Sequence, residues 1–354
     1  MKDLLARLVA VPTVNPGGDE RRLAELCLAE LRRYAPDDTG LDTVGDKAFV
    51  WARYGEPTLG VNVHLDTVPV NAGWTGDPFA LREDGGRLYG LGAADTKGAI
   101  AAVLTALAEE RPRDTLILFS GDEELTGTCV RAFLPRIGEL RRMIVCEPTS
   151  CRAGTRHRGI VTLEAHLAGE GGHSSRADIQ PAPLAELARV AVAWHAWGAA
   201  RRDAGPEGFR GMCFNVAKLD GGVAFNVIPD AGMLTVSFRP PPGADAPALV
   251  AELTDLARRT VAGVDITVRL LNAPFATRDV AGFRALLGAA AEAPVDLGFW
   301  TEAAIWSAAG VDAVVFGPGD IAQAHAPDEW VPAADLARAA ATFKAAFRST
   351  CGPG

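Results

Sequence analysis

The spacing of apolar and polar positions changes character along the chain, and each change predicts a different kind of element. Residues 17–34 carry Leu23, Leu26, Cys27 and Leu31 near the three-to-four spacing of one helix face. The short apolar run 59–63 predicts a strand, 96–110 a helix, 115–121 a strand, 126–137 a helix and 142–146 a strand. Such alternation predicts an α/β layer with a mixed, largely parallel sheet. Sites in open α/β sheets lie beyond the carboxyl ends of the strands.

Near residue 155 the rhythm shifts. Residues 159–170 alternate like a half-exposed strand, 181–197 read as a helix, and alternating strands follow around 212–219 and 231–239. A turn and second helix occupy 240–260, and 266–271 closes the set. This β-α-β-β-α-β order is that of a ferredoxin-like α+β unit. It predicts an insertion at 157–273 within a domain assembled from 1–156 and 274–354. Helix and strand alternate again afterwards, with a strand at 313–317.

The 354 residues, 48% hydrophobic and 22% charged, suit two globular domains. A formal charge of −9 excludes a general nucleic-acid binder, because phosphate contacts need clustered Lys and Arg. No window reaches the roughly 18 apolar residues of a membrane span. The opening MKDLLARLVA lacks a signal-peptide pattern. Six cysteines (Cys27, Cys129, Cys146, Cys151, Cys213 and Cys351) lack C-x-x-C spacing. They predict neither a disulfide framework nor a thiolate zinc site, but idle thiols in a reducing cytoplasm.

The candidate chemistry follows the strands. His64 and Asp66 follow 59–63, Asp122-Glu123-Glu124 follow 115–121, and Glu147 follows 142–146. His325 comes after the last strand, and Asp95 stands just before a helix in GLGAADTKG. Singly, each reads as a solvated loop residue. Together, two imidazoles and several carboxylates match the nitrogen and oxygen ligands of zinc and related divalent ions. The surplus of carboxylates suggests two ions sharing a bridge, a pair able to polarise a carbonyl and acidify water. Asp66, two residues from His64, is placed to turn back and orient its imidazole. The side chains of Glu123 and Glu124 point different ways, so one can ligate while its neighbour moves protons. Rival motifs fail: GLGAAD has Asp95 where a dinucleotide fingerprint needs Gly or Ala, and no G-x-S-x-G or G-K-[ST] occurs.

The segments VHLDTVP, GLGAADTKG, DEELTG, CEPTS, GGHSS and GPGDIAQAH resemble, in order and over nearly the whole chain, the M20 metallopeptidase/deacylase family. GWTGDPFAL and GPGDIAQAHAPDEWV are most similar to its acetylornithine deacetylase branch. FNVAKLDGGVAFNVIP and FWTEA resemble the bacterial N-acetylcitrulline deacetylase members. The resemblance implies that His64 and Glu147 bind one metal, Glu124 and His325 the other, and Asp95 bridges them. It implies Glu123 as general base and acid, Asp66 as the orienter of His64, and a cis Asp95–Thr96 peptide. It implies two divalent ions, zinc with cobalt as the alternative. His173 would reach a neighbouring subunit's site to stabilise an oxyanion, while Asn226 and Arg239 grasp the substrate. The insertion would be a dimerisation lid in a homodimer.

The implied reaction is removal of the acetyl group from an N-acetyl-L-amino acid of arginine biosynthesis, N-acetylcitrulline or N-acetylornithine. A succinyl-diaminopimelate desuccinylase, a dipeptidase or carboxypeptidase, and a noncatalytic scaffold are the alternatives; the intact motif set opposes the last. The expected setting is the cytoplasm, with no nucleic-acid or membrane partner. His157, between two arginines, His166 and His195 fall outside the expected site. Trp300, Thr301 and Glu302 read equally as a substrate wall or as a buried Trp with a helix cap.

Overall fold

The computed structural model describes residues 1–349; the expected idle thiol of Cys351 lies outside them. The chain forms two compact units. One comprises Met1–Thr155, Thr277–Asp296 and the residues from Thr301 on; the other comprises Arg156–Ala276 with Leu297–Trp300.

The first unit is a mixed α/β structure. Strands β1 (Asp38–Val44), β2 (Lys47–Tyr54), β3 (Leu59–His64), β4 (Thr115–Ser120) and β5 (Arg142–Cys146) lie in the order β1-β2-β4-β3-β5. The later strand Asp312–Val315 adds beside β5. The pairs β4–β3, β3–β5 and β5 with Asp312–Val315 are parallel, whereas β1–β2 and β2–β4 are antiparallel. Every residue of β3 and β4 is buried, which is why both read as unbroken apolar runs rather than alternations. Helices Lys97–Glu109 and Ala333–Ser349 share the core through Ala101, Ala102, Leu336, Ala339 and Phe343. Their small side chains allow close backbone approach, and burial of the larger ones contributes about 1.5–3 kcal/mol each.

The helix predicted at 126–137 is shorter. It covers Thr128–Phe133 and passes into a single 3-10 turn at Leu134–Arg136. Pro135 has no N–H to continue the α-helical ladder. Residues 122–127 instead form a turn in which Thr126 N and Gly127 N donate to Asp122 O at 3.0 and 2.6 Å.

The second unit runs β6 (Ile160–Ala168), helix Pro183–Ala199, β7 (Asn215–Gly221), β8 (Ala231–Phe238), helix Ala246–Thr260 and β9 (Asp265–Asn272). Its sheet is antiparallel in the order β7-β8-β6-β9. Alternate residues of the strands (Val161, Leu163, Leu234, Val236) meet Trp194 and Leu253 of the helices in a separate core. Trp194 Nε1 donates to Leu253 O at 2.8 Å, satisfying its buried polar handle. β7 is an edge strand exposed at every residue, including Val216 and Leu219. Among the described residues no helix is long and apolar enough to cross a membrane.

Candidate active site

Parallel pairing of β3 with β4 and β5 brings their carboxyl ends abreast: His64 pairs with Ser120, and Val63 with Cys146. His64, the Asp122–Glu124 turn and Glu147 therefore converge on one sheet edge. His64 Nε2 lies 2.9 Å from Asp95 Oδ1 and 4.0 Å from Glu147 Oε1. Asp95 Oδ2 lies 3.3 Å from His325 Nε2, which is 3.2 Å from Glu124 Oε2. Asp95 thus presents one oxygen to each imidazole. Ligand atoms of His64, Asp95 and Glu124 fall within 4.8 Å of one another, as do those of His64, Glu123 and Glu147.

The donors fit divalent cations. Four carboxylates and two imidazoles crowd one point, and Glu147 Oε1 is buried without a hydrogen-bond partner. Burial pushes Glu123 and Glu147 well above the usual carboxylate range, and Glu124 upward. Neighbouring negative charges act in the same direction on all three. Burial also opposes charge on Asp95, yet hydrogen bonds to His325 and His64 hold it below that range. Hydrogen bonds to Asp95 and Glu124 raise His325 to about 10. Burial disfavours a charged His64, but Asp66 and Asp95 carry it well above the ordinary histidine value. Protons on the imidazoles here supply positive charge that bound cations could supply instead.

Asp66 is buried and joins the loops. Its Oδ1 accepts from Glu123 N and its Oδ2 from Glu124 N, both at 3.1 Å. Oδ2 also accepts from Asn15 Nδ2 at 2.8 Å. His64 Nδ1 lies 3.0 Å from the Asp66 carbonyl oxygen and 3.6 Å from its carboxylate. The ring's nearer partner is therefore the Asp66 main chain, while the carboxylate holds the Glu123–Glu124 turn. Asp122 and His325 adopt left-handed backbone (φ 67° and 58°), sparse for side-chain-bearing residues and concentrated at functional sites. The Asp95–Thr96 peptide is cis. Buried Glu329 accepts from the backbone N–H groups of Gly92, Ala94 and Asp95 at 2.9, 2.9 and 3.0 Å, fixing the turn that presents Asp95. Glu329 lies in the APDEWV end of a segment that carries the family resemblance, without a role of its own in the sequence, and Asn15 in VNPGG reads simply as a turn residue.

The remaining expected site residues belong to the second unit. His173 pairs with Val227 across a two-residue ladder, and Ser174 N donates to Asn226 O at 3.0 Å, so His173 and Asn226 share one exposed tip. Ser175 N and Oγ both approach His173 Nδ1, at 3.2 and 2.9 Å. Nδ1 is thus the acceptor, and the neutral ring carries its proton on Nε2. Arg239 follows the other end of β8, half-buried. Thr301 and Glu302 are both buried; Thr301 Oγ1 accepts from Ala303 N at 3.2 Å and Glu302 from Ser120 Oγ at 2.9 Å. His157 is buried beside Phe275 and Trp300, His166 pairs with Glu164, and His195 is exposed on its helix.

Known proteins share this chain's sequence and fold. The N-acetyl-L-citrulline deacetylase of Xanthomonas campestris pv. campestris is 38% identical over 315 residues, 83% of this chain and 82% of that protein. An acetylornithine deacetylase of Myxococcus xanthus is 33% identical over 330 residues, covering 89% and 86%. The crystal structure of an M20 family metallo-carboxypeptidase from Sulfolobus solfataricus superposes with a TM-score of 0.76 at 16% identity over 98% of each chain, a likeness of fold. Residues 60–349 match Peptidase family M20/M25/M40, and the chain belongs to that family.

Proposed function

We propose that this M20-family hydrolase removes the acetyl group from an N-acetyl-L-amino acid, N-acetylcitrulline first and N-acetylornithine second, giving acetate and the free amine. The 38% identity to an N-acetyl-L-citrulline deacetylase is the observation that carries the substrate class. In this reading His64 and Glu147 would hold one divalent cation and Glu124 and His325 a second, with Asp95 the carboxylate both would share. The donor set suits zinc, with cobalt the alternative. Two cations bound there would polarise the acyl carbonyl and lower the pKa of the attacking water.

Glu123 takes the proton from that water and returns it to the departing amine. Asp66 fixes the backbone of Glu123 and Glu124 so that one side chain ligates while the other stays available. His173, with its proton on Nε2, donates to the developing oxyanion. Arg239 and Asn226 hold the α-carboxylate, for which a guanidinium's paired donors are shaped.

The second unit supports a homodimer. The His173–Asn226 tip and Arg239 stand at opposite ends of the eight-residue β8, about 25 Å apart at the usual strand rise. An N-acyl amino acid is far shorter. One copy therefore serves one site with Arg239 and a second site with His173 and Asn226, as a two-fold dimer allows. The exposed edge β7, with Val216 and Leu219, offers the second copy an unpaired ladder. Free Cys27, Cys129, Cys146, Cys151 and Cys213 suit a reducing cytoplasm.

The test is acetate release from N-acetylcitrulline and N-acetylornithine, with N-succinyl-diaminopimelate as control, before and after exhaustive chelation. Activity that survives complete metal removal rules the reading out. Glu123→Gln should retain both cations by elemental analysis and lose about 10²–10⁴-fold in kcat; near-normal turnover removes Glu123 from the role of base.

A further inference from the structure

A polar chain from Lys47 and Asn15 reaches the Glu123–Glu124 turn through Asp66 and Asp122. Lys47, the first residue of β2, donates from Nζ to Glu20 Oε1 at 2.9 Å and to Asn15 Oδ1 at 2.6 Å. Asn15, 2% exposed, donates from Nδ2 to Asp66 Oδ2 at 2.8 Å and to Asp122 Oδ1 at 3.2 Å. Both acceptors hold the turn: the Asp66 carboxylate receives the N–H groups of Glu123 and Glu124, and the Asp122 carboxylate receives the Thr126 hydroxyl and, at 3.3 Å, the N–H of Thr128.

The chain is anchored at both ends. Asn15 N donates to Thr67 O at 2.8 Å, Thr67 N to Thr13 O at 3.0 Å, and Thr13 Oγ1 to Leu65 O at 2.8 Å, lashing residues 13–15 to the segment after His64. Glu20 is buried against the start of the turn: a Cβ on Gly121 would fall 1.8 Å from Glu20 Oε2. Three carboxylates (Glu20, Asp66 and Asp122) are thereby linked to one ammonium, directly or through Asn15. A buried ionic group seldom adds net stability over an apolar replacement, so the registry it imposes is the better account of its presence.

We infer that Lys47 and Asn15 are positioning residues for catalysis, holding the Glu123–Glu124 turn in register with the metal ligands through Asp66 and Asp122. The inference rests on Glu123 as base and Glu124 as ligand. Asn15 can serve both carboxylates because its two amide hydrogens are matched to two acceptors, while its oxygen is held by Lys47. Without Lys47 the Asn15 amide oxygen loses its donor, and the amide is held in its orientation by the two carboxylates alone.

The test compares Lys47→Met, Lys47→Arg and Asn15→Ala with wild type and Glu123→Gln, in full-length, metal-loaded enzyme acting on N-acetylcitrulline and N-acetylornithine. Outer-shell partners are typically worth about 10–100-fold in activity or metal affinity. Lys47→Met should lose about that much in kcat with KM within about twofold, because it touches no substrate group. A calorimetric titration of the chelated protein with Zn²⁺ should show the weaker binding step loosened by about tenfold or more. Lys47→Arg, which keeps the cation, should recover most of both. Asn15→Ala leaves the Lys47–Glu20 pair in place and should give the same split, which keeps the test open if Lys47→Met fails to fold. A purely structural role predicts lower Tm with unchanged kcat and zinc affinity per folded molecule, and that result overturns the inference. If Glu123→Gln itself turns over normally, the assignment of the base has failed instead.

Discussion

Glu302 gives a quantitative test of the buried electrostatics beneath the site. It is 1% exposed, and its Oε2 accepts from Ser120 Oγ, which accepts from Asn62 Nδ2 at 2.8 Å. Asn62 Oδ1 accepts in turn from Trp306 Nε1 at 2.7 Å, whereas Glu302 Oε1 is buried without a partner. Burial is the main cause that raises this carboxyl from 4.5 to about 7. The folded state then binds the proton more tightly than the unfolded state. The stabilisation is complete below the unfolded value and is lost as pH rises through about 7. At about 1.36 kcal/mol per pH unit the full loss is about 3 kcal/mol, of which about 2.5 kcal/mol falls between pH 5 and 9. Glu302→Gln keeps the shape and abolishes the titration; its extra donor adds an offset that does not vary with pH. For a unit of this size about 2–4 °C of Tm corresponds to each kcal/mol. The Tm of Glu302→Gln minus that of wild type should therefore grow by about 5–10 °C from pH 5 to pH 9. Thermal melts of both chelated proteins at unit pH steps provide the measurement. A difference constant to about 1 °C across that range refutes the reasoning.

Two further outcomes follow from the same charges and geometry. Burial raises Glu123, Glu147 and Glu124, so these groups stabilise the chelated protein at low pH and lose that contribution as pH rises through their raised values. Melts with and without Zn²⁺ should diverge toward high pH, and a zinc effect independent of pH contradicts the ligand assignment. His173→Ala and Arg239→Met should each be nearly inactive alone. Coexpression should restore about a quarter of wild-type activity, because half of randomly formed dimers carry one intact site; no recovery in demonstrated heterodimers rules out sharing of sites between subunits.

The interior of the fold was legible in sequence because it obeys one simple rule. β3, β4 and β5, covered on both faces, contain only brief polar interruptions, and their boundaries fall within a residue of the predicted runs. The β1–β2 hairpin was missed because DTGLDTV is half-exposed at nearly every position, so neither period survives. Residues 126–137 had apolar spacing suited to a helix, but the Asp122 turn and Pro135 shortened it from both ends. His64, Glu123, Glu124 and Glu147 announced themselves by following strands directly. Asp95 and His325 sit on turns, and their convergence on the same point became visible only through resemblance or coordinates.

The second layer around the site could not be read that way. Asn15, Glu20 and Lys47 are single polar residues between 15 and 47, each indistinguishable in sequence from a solvated turn, a helix start or a strand end, and Glu329 has no role marked by the segment that contains it. Their importance arises from burial and from which atoms they meet. The same observation changes the meaning of the charge of −9. Glu20, Asp66, Asp95, Asp122, Glu147, Glu302 and Glu329 are all buried, whereas Lys97 is the buried lysine among the described residues. Much of the acidic excess is therefore interior and held beside the site by N–H donors and imidazoles, where it cannot serve solubility. Two divalent cations would move the formal charge from −9 to about −5 and place the added positive charge where that interior excess is greatest.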